Sequence, residues 1–218
     1  MPVTGEIHMA FSKKKTIEIL DALRQEYPDA ECALTHRNVY ELLIAVVLSA
    51  QTTDKSVNKI SPALFAAYPS AAELAAAEQD DVMEIIKTIG MYKTKSKNII
   101  ALAQKLESEF GGQVPDNYDD LISLPGVGRK TANVVLSVGF GQQRIAVDTH
   151  VFRVSNRIGF VAEKDVLKTE LGLMKALPEE RWSESHHSLI FHGRNCCSAR
   201  NPKCSECVIS GLCKKVGL

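Results

Sequence analysis

The run Val39–Ala50 carries Leu42, Leu43, Ile44, Val46, Val47 and Leu48, with Glu41 its only charge. Apolar side chains therefore ring a helix on every side, and such a helix is stable only inside a shell of other elements. The flanking sequence supplies helices for that shell. Lys13–Tyr27 sets Ile17, Leu20 and Leu23 at helical spacing and stops before Pro28. Further amphipathic helices are expected at Lys55–Tyr68, Ala71–Ala77, Asp80–Thr88, Lys95–Glu109, Asp165–Ala176 and Ser183–His192, joined by turns containing Pro69, Gly90 and Gly111 with Gly112. No segment alternates with the period of a strand, so the fold class is all-α. With 218 residues, 45% of them hydrophobic, the chain can bury the core of one or two domains. Met1–Ala10 has no periodicity, Met9 offers an alternative start, and fold reasoning sets the stretch aside.

The stretch Leu124–His150, LPGVGRKTANVVLSVGFGQQRIAVDTH, concentrates unusual chemistry. Pro125 fixes its own φ, and Gly126 and Gly128 can take positive φ, so a tight hairpin joins helices at Tyr118–Leu124 and Thr131–Val138. Backbone N–H groups at such a turn, and the positive end of the next helix, can meet a phosphate. By glycine spacing alone, an ordinary tight connection explains the turn equally well. Lys130 falls in the first turn of the second helix, where the dipole disfavours its charged form, and Arg129 adds a second cation. A neutral lysine amine attacks sugar or carbonyl carbons to form a Schiff base, whereas a solvated phosphate contact is its commoner use. Asp148 precedes a helical pattern through Ile158 and reads first as an N-cap, a role that also holds a carboxylate in place.

The formal net charge of zero argues against a uniformly basic nucleic-acid-binding surface. Charge is polarised, however. Between Leu121 and Phe160, Arg129, Lys130, Arg144, Arg153 and Arg157 face only Asp148, and the segment after Arg181 is also basic, while acids gather at Glu73, Glu78, Asp80, Asp81 and Glu84. One basic face can bind a phosphate backbone at zero net charge. Four of six cysteines, Cys197, Cys204, Cys207 and Cys213, are separated by six, two and five residues. In a chain with no signal-peptide pattern this crowding favours a metal site over disulfides, and spacing alone leaves zinc and iron–sulfur open. Between Cys197 and Cys204, Arg200 and Lys203 sit on a segment pinned at both ends and suit phosphate contacts. His186, His187 and His192 read as packed, hydrogen-bonded helix residues with no recognised ligand spacing. No stretch approaches the roughly 18–20 apolar residues of a membrane span, so no membrane partner and a cytoplasmic location are expected.

LPGVGRKTANVVL followed by AVDTHVFRVSNRIG resembles the helix-hairpin-helix DNA glycosylases of the endonuclease III family. Three further stretches, YELLIAVVLSAQTTDKSVNK (Tyr40–Lys59), IKTIGMYKTKSKNII (Ile86–Ile100) and SHHSLIFHGRNCCSARNPKC (Ser185–Cys204), carry the likeness over nearly the whole chain. The resemblance implies a two-lobed all-α fold, with a six-helix domain at residues 32–143 holding the helix-hairpin-helix. The second lobe would be discontinuous, residues 1–31 plus 144–218, and would end in the iron–sulfur loop. It also implies a 4Fe-4S cluster on Cys197, Cys204, Cys207 and Cys213, with Cys196 outside the set. By the same likeness, Lys130 and Asp148 are catalytic, and Gln51, Met91, Gly126, Gly128, Arg129, Arg200 and Lys203 contact DNA. Gln51 would fill the gap left by a flipped nucleotide, Met91 would wedge between bases, and Ser49 and Asp54 would lie near the lesion pocket.

The implied activity is that of a monomeric, nucleoid-associated, bifunctional DNA glycosylase and abasic-site lyase, acting on double-stranded DNA with oxidised pyrimidines or abasic sites in base excision repair. A monofunctional adenine glycosylase of the same superfamily is the nearest rival, opposed by the presence of Lys130. A noncatalytic helix-hairpin-helix DNA-binding module is another, separable by whether DNA is nicked.

Overall fold

A computed structural model describes residues 11–218; Met1–Ala10, including the alternative start at Met9, lie outside the described residues. Among the described residues there are eleven α-helices, one 3-10 turn and no strand. Two compact units form, one spanning Cys32–Gln142 and the other joining the segment up to Glu31 with Gln143–Leu218. The division falls one residue before the boundary expected at Gln143, whose Oε1 accepts from Ser183 N at 3.1 Å within the second unit.

In the unit Cys32–Gln142, α2 (Val39–Leu48) is the central helix, with Leu42–Leu48 all at most 4% exposed. Each buried Leu, Ile or Val there contributes about 1.5–3 kcal/mol relative to exposure. Asn38 caps its start, accepting from Glu41 N at 2.9 Å. Glu41, only 2% exposed, escapes the cost of a bare buried charge through Arg37, which donates from its backbone N and Nε at 2.8 Å each and from Nη2 at 2.5 Å. Burial pushes the Glu41 carboxyl up, but these bonds outweigh it and hold the group below its usual range. Against α2 pack α3 (Asp54–Ala67), α6 (Tyr92–Phe110) and α8 (Arg129–Phe140); α5 (Gln79–Ile86) packs on α6 and α3, α7 (Tyr118–Ser123) on α8, and a five-residue piece, α4 (Ala71–Ala75), on α6. These are six longer helices and the short one, which the sequence also predicts, at Ala71–Ala77.

Thr53 caps α3, its Oγ1 accepting from Ser56 N at 3.2 Å. α6 ends at Gly111 in the left-handed conformation, where the following N–H of Gly112 returns to Leu106 O at 2.9 Å. On α8, Gly139 lets α2 come close, since a Cβ there would stand 3.0 Å from Val39 Cγ1.

The other unit contains α1 (Lys13–Glu26), α9 (Thr149–Ile158), α10 (Val166–Ala176), the 3-10 turn Glu179–Arg181 and α11 (Trp182–Asn195). α11 packs on α9 and α1 around Ile19, Leu23, Val151, Val154, Leu189 and Ile209. Cys197, Cys207 and Cys213 lie against this same core. No helix among the described residues is long and apolar enough to cross a membrane.

Candidate functional site

The hairpin is built from the end of α7 and the start of α8. Leu124 N returns to Leu121 O and Val127 N to Leu124 O, each at 3.1 Å, while Leu124 and Val127 are buried. Gly126 takes φ +79°, and a Cβ there would meet Val47 Cγ1 at 3.2 Å and Asn98 Cβ at 3.3 Å, so both conformation and space require glycine. The expectation that Gly128 also turns left-handed is not met. It is the N-cap of α8 with φ −102°, and nothing lies within 4 Å of where its Cβ would be. Its use is therefore open space, through which another backbone or a phosphate can approach. α8 has no side-chain cap, so its first-turn N–H groups point into the same region.

Lys130 is the second residue of α8 and is exposed. Beside it Arg129 is splinted, stacking over the Tyr118 ring at 5.4 Å from its centroid and donating from Nη1 to Tyr118 Oη at 3.2 Å. In the same unit, Gln51 is exposed with φ 53° and Met91 is 49% exposed with φ 58°. Two non-glycine residues in the left-handed region, each at a turn between helices, are uncommon and costly. Ser49 ends α2 with its Oγ donating to Val46 O at 2.8 Å, and Asp54 opens α3 half-buried.

In the other unit, Asp148 is the N-cap of α9, its Oδ1 accepting from His150 N at 2.8 Å and Val151 N at 2.7 Å. Both bonds fall on one oxygen, which fixes the carboxylate and leaves Oδ2 uncommitted among the described residues.

α9 also organises the cysteine loop. Arg153 donates to Cys197 O from Nε at 3.2 Å and Nη2 at 3.1 Å, and to Gly193 O at 2.9 Å. One helical turn on, Arg157 donates to Ser198 O at 2.6 Å and Ala199 O at 2.7 Å, and its Nη1 is 3.6 Å from Cys197 Sγ. By local charge alone both arginines belong to a basic DNA-binding face. Their guanidiniums instead turn inward to carbonyls some forty residues away, which a local charge count does not register. Arg200 and Lys203 do stand exposed on this loop.

No disulfide joins the six cysteines, and Cys196, Cys197, Cys204, Cys207 and Cys213 line one pocket with Arg157, His192 and Lys203. Burial first, then neighbouring thiols, push the Cys196 thiol up to about 12, and burial also raises Cys213. Crowded, half-buried soft donors of this kind suit an iron–sulfur cluster, whose positive metal ions relieve the repulsion that bare thiolates would suffer.

Sequence reasoning missed how near His192 comes to this pocket. It is 2% exposed, takes part in a hydrogen bond between Nδ1 and Tyr27 Oη at 3.2 Å, and its Nε2 is 3.7 Å from Cys207 Sγ. His192, Cys196 and Cys207 offer ligand atoms all within 4.8 Å of one another. Its helical spacing to Cys196 was the available signal. Burial drops the His192 imidazole to about 4, so it is neutral at pH 7. His187 is likewise depressed by burial, with its Nδ1 3.0 Å from Ser183 O.

Residues 44–179 match the HhH-GPD superfamily base excision DNA repair proteins, and residues 197–213 match the iron-sulfur binding domain of endonuclease III. The second match begins on Cys197 and ends on Cys213, leaving Cys196 outside. Endonuclease III of Bacillus subtilis (strain 168) is 48% identical over 92% of this chain and 93% of its own length. That of Escherichia coli (strain K12) is 46% identical over 93% and 96%. The chain belongs to the endonuclease III family.

A solved endonuclease III trapped as a covalent intermediate with DNA superposes with a TM-score of 0.88 at 47% identity, covering 94% of this chain and 97% of that one. A thermostable thymine-DNA glycosylase gives 0.83 at 26% identity, over 93% and 96%. As a member of this family the protein is a DNA-binding, bifunctional DNA glycosylase and abasic-site lyase of base excision repair, and it carries a 4Fe-4S cluster. Neither the adenine-glycosylase reading nor the noncatalytic one is favoured.

Proposed function

We propose that Lys130 is the nucleophile and Asp148 its acidic partner, acting on duplex DNA that holds an oxidised pyrimidine or an abasic site. The observation that carries this reading is Lys130 itself, an exposed amine at the open end of a helix, following a glycine hairpin through which a phosphate can approach. Arg129 and the Gly126–Gly128 backbone hold the strand, and Gln51 and Met91 enter the duplex where the target nucleotide has left the stack.

In the proposed sequence Asp148 helps take a proton from Lys130 and stabilises positive charge growing on the sugar. The Lys130 nitrogen bonds to C1′ as the C1′–base bond breaks, and the base departs with that electron pair and takes up a proton. The nitrogen lone pair then expels O4′, which leaves with the C1′–O4′ electron pair and takes up the proton shed by the amine, so the sugar ring opens and a protonated imine remains. The imine acidifies C2′, a base removes that proton, and the electrons expel the 3′ phosphate. Water then adds to the imine, releasing Lys130 and a nicked strand.

Cys197, Cys204, Cys207 and Cys213 ligate the cluster in this reading, with Cys196 outside the set as the limits of the family match support. Bound there, the cluster ties together both ends of the loop that offers Arg200 and Lys203 to phosphates. The enzyme works as a monomer, at the nucleoid. Borohydride trapping tests the assignment: an abasic-site duplex should give a covalent adduct with the parent protein and none with Lys130→Ala. An undiminished adduct with that variant would refute it.

A further inference from the structure

Lys95 lies in the first turns of α6 and is 4% exposed, a placement that lysines avoid unless something compensates the buried charge. Among the described residues its ammonium makes one hydrogen bond, Nζ to Thr52 Oγ1 at 2.6 Å. Burial lowers its proton affinity, and no carboxylate offsets this. The cation also sits near the positive end of its own helix, which adds to the cost. Stability does not explain such an arrangement, since an apolar side chain of the same length would fill the space at less expense.

Geometry supplies another explanation. Lys95 N donates to Met91 O at 2.9 Å, so Lys95 is one turn from Met91, the left-handed N-cap of α6. Its side chain ends on Thr52, the neighbour of Gln51, in the turn where Thr52 N returns to Ser49 O at 3.0 Å. Gln51 and Met91, both exposed with strained backbones, are thus joined through one buried side chain. We propose that Lys95 is a positioning residue, a strut that fixes the Gln51 turn to the Met91 turn so that both side chains enter the duplex as one preformed unit. Without it each turn must be ordered when DNA binds, and affinity for the gapped duplex falls by that cost.

This inference rests on the reading of Gln51 and Met91 as the residues that enter DNA. The test measures dissociation constants for a duplex with a tetrahydrofuran abasic analogue and for the intact duplex, using the cluster-loaded protein. Lys95→Met is expected to weaken binding to the analogue duplex about tenfold, to change intact-duplex binding less than about twofold, and to keep or raise Tm. Thr52→Val, which removes the acceptor, should show the same selective loss. In a Gln51→Ala background, Lys95→Met should cost less than about twofold more, because its effect passes through that turn. Equal loss on both duplexes with a lower Tm, or full additivity with Gln51→Ala, would overturn the proposal. If Gln51→Ala weakens analogue binding while Lys95→Met and Thr52→Val do not, the strut alone fails; if Gln51→Ala binds like the parent, the insertion reading fails.

Discussion

The hairpin at Leu124–Gly128 and the loop at Cys197–Cys213 both present cations, yet they are held by opposite means. The hairpin is fixed by its own backbone bonds, by buried Leu124 and Val127 and by a glycine that fits between Val47 and Asn98. The cysteine loop has no helix of its own. It is held by guanidinium-to-carbonyl bonds from α9 and by thiols that gather around a pocket. The first device is internal to the fold, whereas the second depends on a cofactor and on a neighbouring helix. Asp148 caps the same helix α9, so the proposed catalytic acid and the cluster loop share one scaffold.

The sharpest break of this comparison is cluster removal. Oxidative loss of the iron should abolish tight binding to an abasic-analogue duplex and expose the loop to protease between Cys197 and Cys213, while the hairpin peptide stays protected. Simultaneous cleavage at both places would show that the two are not independently held. Asp148→Asn should lower single-turnover base release on the order of a hundredfold or more, the scale of a positioned charged group in catalysis, with the N-cap largely retained. An unchanged rate would remove Asp148 from the mechanism.

Arg153→Ala strips charge-assisted bonds from Cys197 O and Gly193 O, and should cost about 1–3 kcal/mol of stability in the unit carrying the cluster, read as a lowered urea midpoint. Gly126→Ala forces a Cβ into a left-handed turn 3.2 Å from Val47 and should cost about 1–2 kcal/mol in the other unit. If Arg153→Ala proved silent, the loop would need the cluster alone.

The smallest effect concerns pH. Burial holds His187 below its ordinary 6.5, so the unfolded chain binds the extra proton first as pH drops. The stability linked to neutral His187 is present above pH 6.5 and is lost progressively below it, and His187→Gln should flatten the fall of Tm between pH 6.5 and 5. An identical slope in the variant would contradict the assignment.

Much of this architecture is legible in the residues. The uniformly apolar α2 demands a helical shell, and Pro125 with Gly126 marks the hairpin, because both are local signals of packing and φ. Asp148 as a cap is equally local. What the sequence hides is direction. Arg153 and Arg157 count as surface charge until the fold shows them reaching the cysteine loop. Lys95 sits among several lysines in YKTKSK, and only the structure distinguishes the one that is buried. Gly128 shares its residue type with Gly126 but not its conformation, since the requirement there is room and not a turn. His192 faces Cys207 only because α11 brings it to the pocket.

The central claim is that one particular amine attacks the sugar. Reducing the reaction with borohydride on an abasic-site duplex, digesting the adduct and mapping it by mass spectrometry tests this directly. The account predicts that the deoxyribose-derived mass lies on Lys130; an adduct on another lysine or on the chain's terminal amine would contradict it.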